Sequence, residues 1–181
     1  MLPLLRLIYS RRLLRLSCNS LLIIGKVCRN TVRYLTPEFG KLIAKAIDGL
    51  LSALPLQVIA RILDHFVKTK TDVQIMISMI TITTDRLAGV ASSDPNLAPA
   101  LAKLMSILTE LVSSSEESEA IATSLICIAK LSRVHGKAEL SLYENILPII
   151  VDHGLGANDD VIVQQSLDCM LSMLYGVVRL V

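Results

Sequence analysis

Apolar residues recur at helical spacing along nearly the whole chain, most clearly between residues 115 and 151. Four of them share one helix face in the first half of this stretch: Ile121, Leu125, Ile128 and Leu131. Ser114 and Glu117 have the spacing of a capping box and Gly136 is a suitable C′ residue, so the pattern predicts a helix between them. A second helix is predicted from about 139 to 151. Two apolar helices joined by a few residues form the unit of an α-solenoid.

Breaks in the pattern delimit further helices. A first helix precedes Thr36 and Pro37, which are a good N-cap and a good first helical residue. Asp94 and Pro95 are expected to start a later helix in the same way, and Asp159 is expected to cap the last one. The predicted helices after Thr36 cover residues 37–53, 56–67, 72–91, 95–112 and 159–181. No alternating run bounded by hairpin turn residues competes with this all-α prediction.

Four apolar blocks share a small first residue and the same apolar rhythm; they begin at Ser20, Ser78, Ser124 and Ser166. The last two spacings are close to the period of about 40–47 residues of HEAT and armadillo repeats. The first spacing is longer because a short extra helix lies near Leu56. We therefore predict a right-handed α-solenoid of HEAT/armadillo-like helical pairs, and each large apolar residue of 124–128 should be buried. The single repeat domain, 1–181, divides into units of about 11–54, 55–112, 113–153 and 158–181.

The last predicted helix is apolar as far as Val181 and has no polar cap. Solenoids normally carry a polar face on their terminal repeats, because a bare repeat exposes its stacking surface. We therefore expect that the chain is a segment of a longer array or docks on a partner through residues 171–181. In isolation it is expected to associate or to behave as a sticky monomer.

The composition favours an aliphatic core. Hydrophobic residues make up 52% of the chain, yet Trp is absent and Phe appears twice, which favours close helix packing over a ligand pocket or a base-stacking platform. The cysteines form no C-x-x-C pair and lie in apolar runs, so buried reduced thiols are expected at Cys18, Cys28, Cys127 and Cys169. No stretch approaches the ~18 uninterrupted apolar residues of a membrane span, and no membrane contact is expected.

Charge is unevenly distributed, although the net charge is only +2. The first 37 residues contain basic side chains and no acidic one. One helical face carries the basic stripe, which the next helix extends: Arg11, Arg15, Lys26, Arg29, Arg33, Lys41 and Lys45. No acidic residue is available to pair with the first five at i,i+4, so this face is a candidate site for phosphates or an acidic protein. A solvated face without a partner is an equal alternative.

Catalytic chemistry has little support in the sequence. His65 follows an aspartate, while His135 and His153 each precede a glycine at a helix end, where a histidine interacts favourably with the helix dipole. There is no zinc-ligand spacing, no G-x-S-x-G or H-E-x-x-H motif and no phosphate-binding glycine loop. We therefore expect no enzymatic activity, no cofactor and no small-molecule substrate.

Residues 124–137 and 143–150, together with 20–29 and 34–39, resemble repeats of the large HEAT-repeat scaffold proteins of the ribosomal small-subunit processome. The likeness extends over most of 12–174. It implies a non-catalytic nucleolar scaffold in small-subunit ribosome biogenesis and rRNA processing. The implied partners are other proteins of a large assembly and possibly pre-ribosomal RNA. This chain would cover only a short internal segment of such a protein.

Two alternatives remain open. A karyopherin-like or other adaptor solenoid in the cytoplasm would bind peptide motifs in a concave groove. A mitochondrial helical protein would use its apolar, Arg-rich and acid-free start as a cleaved presequence. The basic stripe continues well past any plausible cleavage point, which favours the first helix of a repeat array over a presequence.

Overall fold

The computed structural model describes two continuous stretches of the chain, 73–135 and 140–178, and nine residues before them. Those nine are Leu42, Lys45, Ala46, Gly49, Leu54, Pro55, Val58, Ile59 and Leu63. The chain divides into two compact units, Met1–Met79 and Ile80–Val181. The predicted single repeat domain and its units are not tested by this division.

In the first unit, two groups of described residues are helical: Leu42, Lys45, Ala46 and Gly49, and then Val58, Ile59 and Leu63. Ile59 and Leu63 are one turn apart and fully buried, whereas Leu42 is exposed. These positions lie in the helices predicted over 37–53 and 56–67.

The second unit begins within the first long described helix. The helices are α1 (Val73–Ala88), α2 (Leu97–Ser114), α3 (Ser118–His135), α4 (Leu140–Ile149) and α5 (Asp160–Val178). A single π-helical turn, Ile150–Leu155, follows α4. The described residues include no strand, and the all-α class is confirmed.

The predicted capping box at the start of α3 is wrong. Ser114 is the last residue of α2, where its hydroxyl donates to the Glu110 carbonyl. The N–H groups of Ala120 and Ile121 bond to the Glu117 carbonyl, and the Glu117 N–H bonds to the Ser115 hydroxyl. The preceding helix therefore extends two residues further than predicted and takes the serine that would have capped α3.

Two further predicted N-caps had different outcomes, and a third, Thr36, lies outside the described residues. Asp94 accepts a hydrogen bond from the Asn96 N–H at 2.8 Å, so it closes a turn before α2, and Pro95 precedes the helix. Asp159 does cap α5, because its carboxylate accepts the Val161 N–H at 2.9 Å. The predicted C′ residue of α3, Gly136, lies outside the described residues.

Burial in α3 follows helical periodicity with one exception to the prediction. Leu125 and Ile128 are fully buried, and Cys127 is buried beside them, but Ile126 is 51% exposed. Four consecutive residues cover the whole circumference of a helix, so one of them must point away from the core. The expectation that every large apolar residue of 124–128 is buried was therefore wrong at Ile126.

Buried serines allow close helix packing in α3 and α5. Ser124 and Ser132 in α3 and Ser166 and Ser172 in α5 are buried. Each hydroxyl donates to the carbonyl four residues earlier in its own helix. The small side chains therefore sit in the core without an unpaired hydroxyl proton.

The helix predicted to end at about residue 151 ends at Ile149 and continues as a π turn to Leu155. Pro148 lies inside α4 and has no N–H to donate to the carbonyl four residues earlier, just before the backbone widens. The turn brings Gly154 against Ser166 of α5, where a Cβ on Gly154 would collide with the Ser166 hydroxyl oxygen. Glycine is required here by this close approach.

Candidate functional site

A buried histidine joins α3 to α1. His135 is 1% exposed, and its Nε2 lies 2.8 Å from the Leu87 carbonyl oxygen, to which it donates. Its Nδ1 is buried and has no hydrogen-bond partner. The sequence placed His135 at a helix end as a dipole partner and gave no sign of burial, because the residue that accepts its proton is 48 positions away.

A second contact between the same helices is exposed. Lys130 Nζ lies 2.7 Å from Asp85 Oδ1, and both side chains are about half exposed. Beneath this pair, burial raises the pKa of the Cys127 thiol, and a contact with the Thr84 hydroxyl partly opposes that shift. The Thr84 hydroxyl is buried and makes no hydrogen bond of regular geometry. These groups pack the helices together and include no base positioned to activate the thiol.

Polar contacts also join α3 to α5. At the start of both helices, the Ser118 hydroxyl bonds to the Asp159 carboxylate, and with the Val161 N–H it lowers the pKa of that carboxyl. Further along, Arg133 Nε donates to the Ser172 hydroxyl at 3.0 Å. Burial raises the pKa of the nearby Cys169 thiol to about 12. Both described cysteines are buried and free, as predicted, while Cys18 and Cys28 lie outside the described residues.

The contacts between α1, α3 and α5 have a common spacing and direction. The pairs Asp85–Lys130, Leu87–His135 and Arg133–Ser172 are separated by 45, 48 and 39 residues. In each pair of helices, later residues contact later residues, so α1 and α3 run parallel and so do α3 and α5. A repeat of helical pairs predicts parallel neighbours at a spacing of about 40–47 residues.

The intervening helices also lie side by side. Between α2 and α4 there is a shallow depression of about 270 Å³, whose floor includes Met105 and Ile146. Ser106 and Asn145 lie at its edge. The depression contains no charged side chain.

Among the described helices, α5 carries the most exposed large hydrophobic residues. Four of them form what we call the α5 stripe; it consists of Leu167, Leu171, Leu174 and Tyr175, which are 45–66% exposed. The opposite side of α5 is buried through Ile162, Cys169 and Met173. The sequence predicted an open face at 171–181, and Leu171, Leu174 and Tyr175 are exposed there. Leu167 was missed, although its spacing from Leu171 could have identified it.

Of the basic stripe, Lys45 alone lies within the described residues. Arg11, Arg15, Lys26, Arg29, Arg33 and Lys41 lie outside the described residues. Lys45 is helical and exposed. His65 also lies outside this part of the chain, and His153 is exposed in the π turn. The binding role of the stripe therefore remains a prediction.

Within the described residues, no three His, Cys, Asp or Glu side chains are close enough to hold a metal ion. One described helix, α2, is long and apolar enough to cross a membrane by length and composition, and half of it is buried inside the protein. No protein-family model, curated protein or solved structure matches the chain.

Proposed function

We propose that the chain is part of a right-handed α-solenoid of HEAT/armadillo-like helical pairs and acts as a non-catalytic scaffold for other proteins. The observation that carries this proposal is the parallel arrangement of α1, α3 and α5, with contacts separated by 39–48 residues. The antiparallel helix that a solenoid needs between such neighbours is provided by α2, which follows α1 and is joined to α3 by three residues.

The use of polar groups supports a structural role. His135, Arg133, Asp159 and the buried serines each bond to a neighbouring helix or to their own helix. A catalytic site would instead direct such groups toward a shared cleft. The exposed α5 stripe is the kind of surface through which a scaffold contacts a partner.

The more specific part of the proposal is a role in small-subunit ribosome biogenesis in the nucleolus. It is supported by the resemblance of 124–137 and 143–150 to repeats of the processome scaffold proteins. In the cells of origin, a tagged chain expressed at its native level should co-sediment with pre-ribosomal particles and shift to light fractions when rRNA transcription is blocked. A mitochondrial or diffuse cytoplasmic distribution, with no particle association, would rule out this role.

RNA contact through the basic stripe has a separate test. If five of its side chains meet phosphates, the slope of log K against log salt should be about −4, since each contact contributes about −0.7 to −0.9. Arg29→Glu with Arg33→Glu should abolish RNA binding without lowering helicity. Lys68→Glu with Lys70→Glu makes the same change in net charge off the stripe and should bind nearly normally. Equal loss in both double variants would show only a general charge effect.

A further inference from the structure

Serines followed by carboxylates lie where α2 ends and α3 begins, and helix capping does not explain their spacing. Ser113 and Ser114 each have a glutamate three residues later, Glu116 and Glu117. This spacing would suit a capping box, but Ser114 ends α2 and its hydroxyl donates to the Glu110 carbonyl at 2.6 Å. A carboxylate three residues after a serine is also what acidophilic serine kinases recognise, through basic residues beside their active site.

Ser114 is the serine whose surroundings best fit a phosphate acceptor. It is exposed, whereas Ser113 and Ser115 are partly buried. Glu116 and Glu117 are exposed as well, so a kinase can reach the serine and both carboxylates from solvent. Directly after Ser114 the backbone is already extended, since Ser115 has φ −77° and ψ 140°. The serine therefore adjoins a segment in the conformation that a kinase substrate needs.

The last turn of α2 must open before Ser114 can enter a kinase active site, and this turn is weakly held. It has no basic side chain to offset the helix dipole, and Glu110 lies one turn before Ser114 with the wrong sign for a helix C-terminus. Opening breaks the bond from the Ser114 hydroxyl and the bond from the Ser115 N–H to the Leu111 carbonyl. Leu111 and Val112 are buried, so the opening should stop there.

We propose that Ser114 is phosphorylated by an acidophilic serine kinase that uses ATP. The γ-phosphoryl group moves to Ser114 Oγ as its bond to ADP breaks, and the hydroxyl proton passes to the catalytic base of the kinase. Phosphoserine carries a charge of about −1.5 to −2 at pH 7 and has no hydroxyl proton to donate to Glu110. At the negative end of α2 it opens the last turn of that helix and lengthens the linker to α3. Phosphorylation does not require that the chain act as a scaffold.

The test treats the full chain with a purified acidophilic serine kinase and ATP. Tandem mass spectrometry of the tryptic peptide 104–130 should find one phosphate, on Ser114. Ser114→Ala should remove it, and Ser113→Ala should keep it. Glu117→Gln should slow phosphorylation by about ten-fold or more, because one charge-assisted contact with the kinase is lost. Glu119→Gln removes the same charge at another spacing and should react like the wild type.

Hydrogen exchange of the phosphorylated chain measures the effect on α2. Amides of 113–117 should exchange several-fold faster than in the unmodified chain, and those of 104–112 should be unchanged. Kinase-treated Ser114→Ala is the control for both segments. Peptide 104–130 of the protein from its own cells should carry the same phosphate.

Four results would overturn the proposal. Residues 104–130 could carry no phosphate in the treated chain or in cells, or the phosphate could lie on Ser113 or Ser115. Glu117→Gln and Glu119→Gln could react at equal rates, which would mean that the kinase does not read the spacing. Exchange over 113–117 could stay unchanged or slow down, in which case the phosphate does not open α2.

Discussion

Helices α3 and α5 are built alike on one side, but a face that is buried in α3 is exposed in α5. Both contain buried serines that bond within their own helix, and each buries a free cysteine, Cys127 in α3 and Cys169 in α5. On the outer side, α3 carries Lys130 and Arg133 between its exposed apolar residues. The α5 stripe does not correspond to that side. Counting from Ser124 and Ser166, Leu167 and Leu174 of the stripe match Leu125 and Ser132, which are buried in α3.

This difference separates the features that the two helices share from the neighbours that cover them. Similar inner faces are expected if both helices occupy equivalent places in a stack, because the same neighbours require the same small and apolar side chains. The exposed side of α3 carries Lys130 and Arg133 beside its exposed apolar residues, whereas the α5 stripe is apolar and matches positions that are buried in α3.

The largest expected effect comes from comparing a buried leucine of α3 with a half-exposed leucine of the α5 stripe. Leu125→Ala on α3 should lower the free energy of unfolding by about 2–5 kcal/mol, because it opens a cavity at a fully buried site. Leu171→Ala on α5 removes the same atoms from a half-exposed site and should change it by less than about 0.5 kcal/mol. Urea denaturation followed by circular dichroism measures both. Equal costs would mean that the α5 stripe is part of the core.

The inner face of α5 can be tested at its closest contact. Gly154→Ala should cost about 1–3 kcal/mol, because the added methyl meets the Ser166 hydroxyl oxygen. Ser166→Ala alone should be nearly neutral, since that hydroxyl bonds only within α5. In the double variant, part of the cost should be recovered. Strictly additive costs in a double-mutant cycle would show that the two residues are not in contact.

The two buried cysteines should contribute differently to the loss of stability at alkaline pH. Burial raises the pKa of Cys169 from 9.0 to about 12, so above pH 9.0 the unfolded state binds fewer protons than the folded state. Stability should therefore fall as pH rises, by about 1.4 kcal/mol per pH unit from this thiol. The pKa of Cys127 is also raised, but Thr84 and Lys130 oppose the shift.

Unfolding free energies measured from about pH 8 to about pH 10 check this prediction. Cys169→Ala should remove more of the alkaline loss than Cys127→Ala, which serves as its matched control. Tyrosine and lysine titrate equally in all three proteins and cancel in the comparison. An unchanged pH dependence in Cys169→Ala would mean that its thiol is accessible to water.

The smallest expected effect concerns the outer face of α3. Lys130→Met breaks the pair with Asp85 and should cost about 0.2–1 kcal/mol, because both side chains are half exposed. The difference from the wild type should shrink as salt is added. A larger, salt-independent loss would indicate that Lys130 stabilises the protein through its aliphatic stem, and α3 would then resemble α5 on its outer side.

Local sequence signals were sufficient to predict the helices of the second unit and their approximate bounds. The positions of Leu125, Ile128 and Leu131, together with Asp159 as a cap, predicted the helical class, and the described helix bounds fall within about three residues of the predicted ones. These features depend on residues within one or two turns of each other. The sequence pattern therefore contained the information needed to place them.

Tertiary structure decided the features that depend on distant residues. His135 is buried because Leu87 of another helix supplies a carbonyl, and Gly154 is required because Ser166 approaches it. Ile126 is different, because it lies off the face of Leu125, Ile128 and Leu131, so helical periodicity alone could have predicted its exposure. Helical periodicity fixes which residues share a face, but the packing of other helices decides which faces are covered.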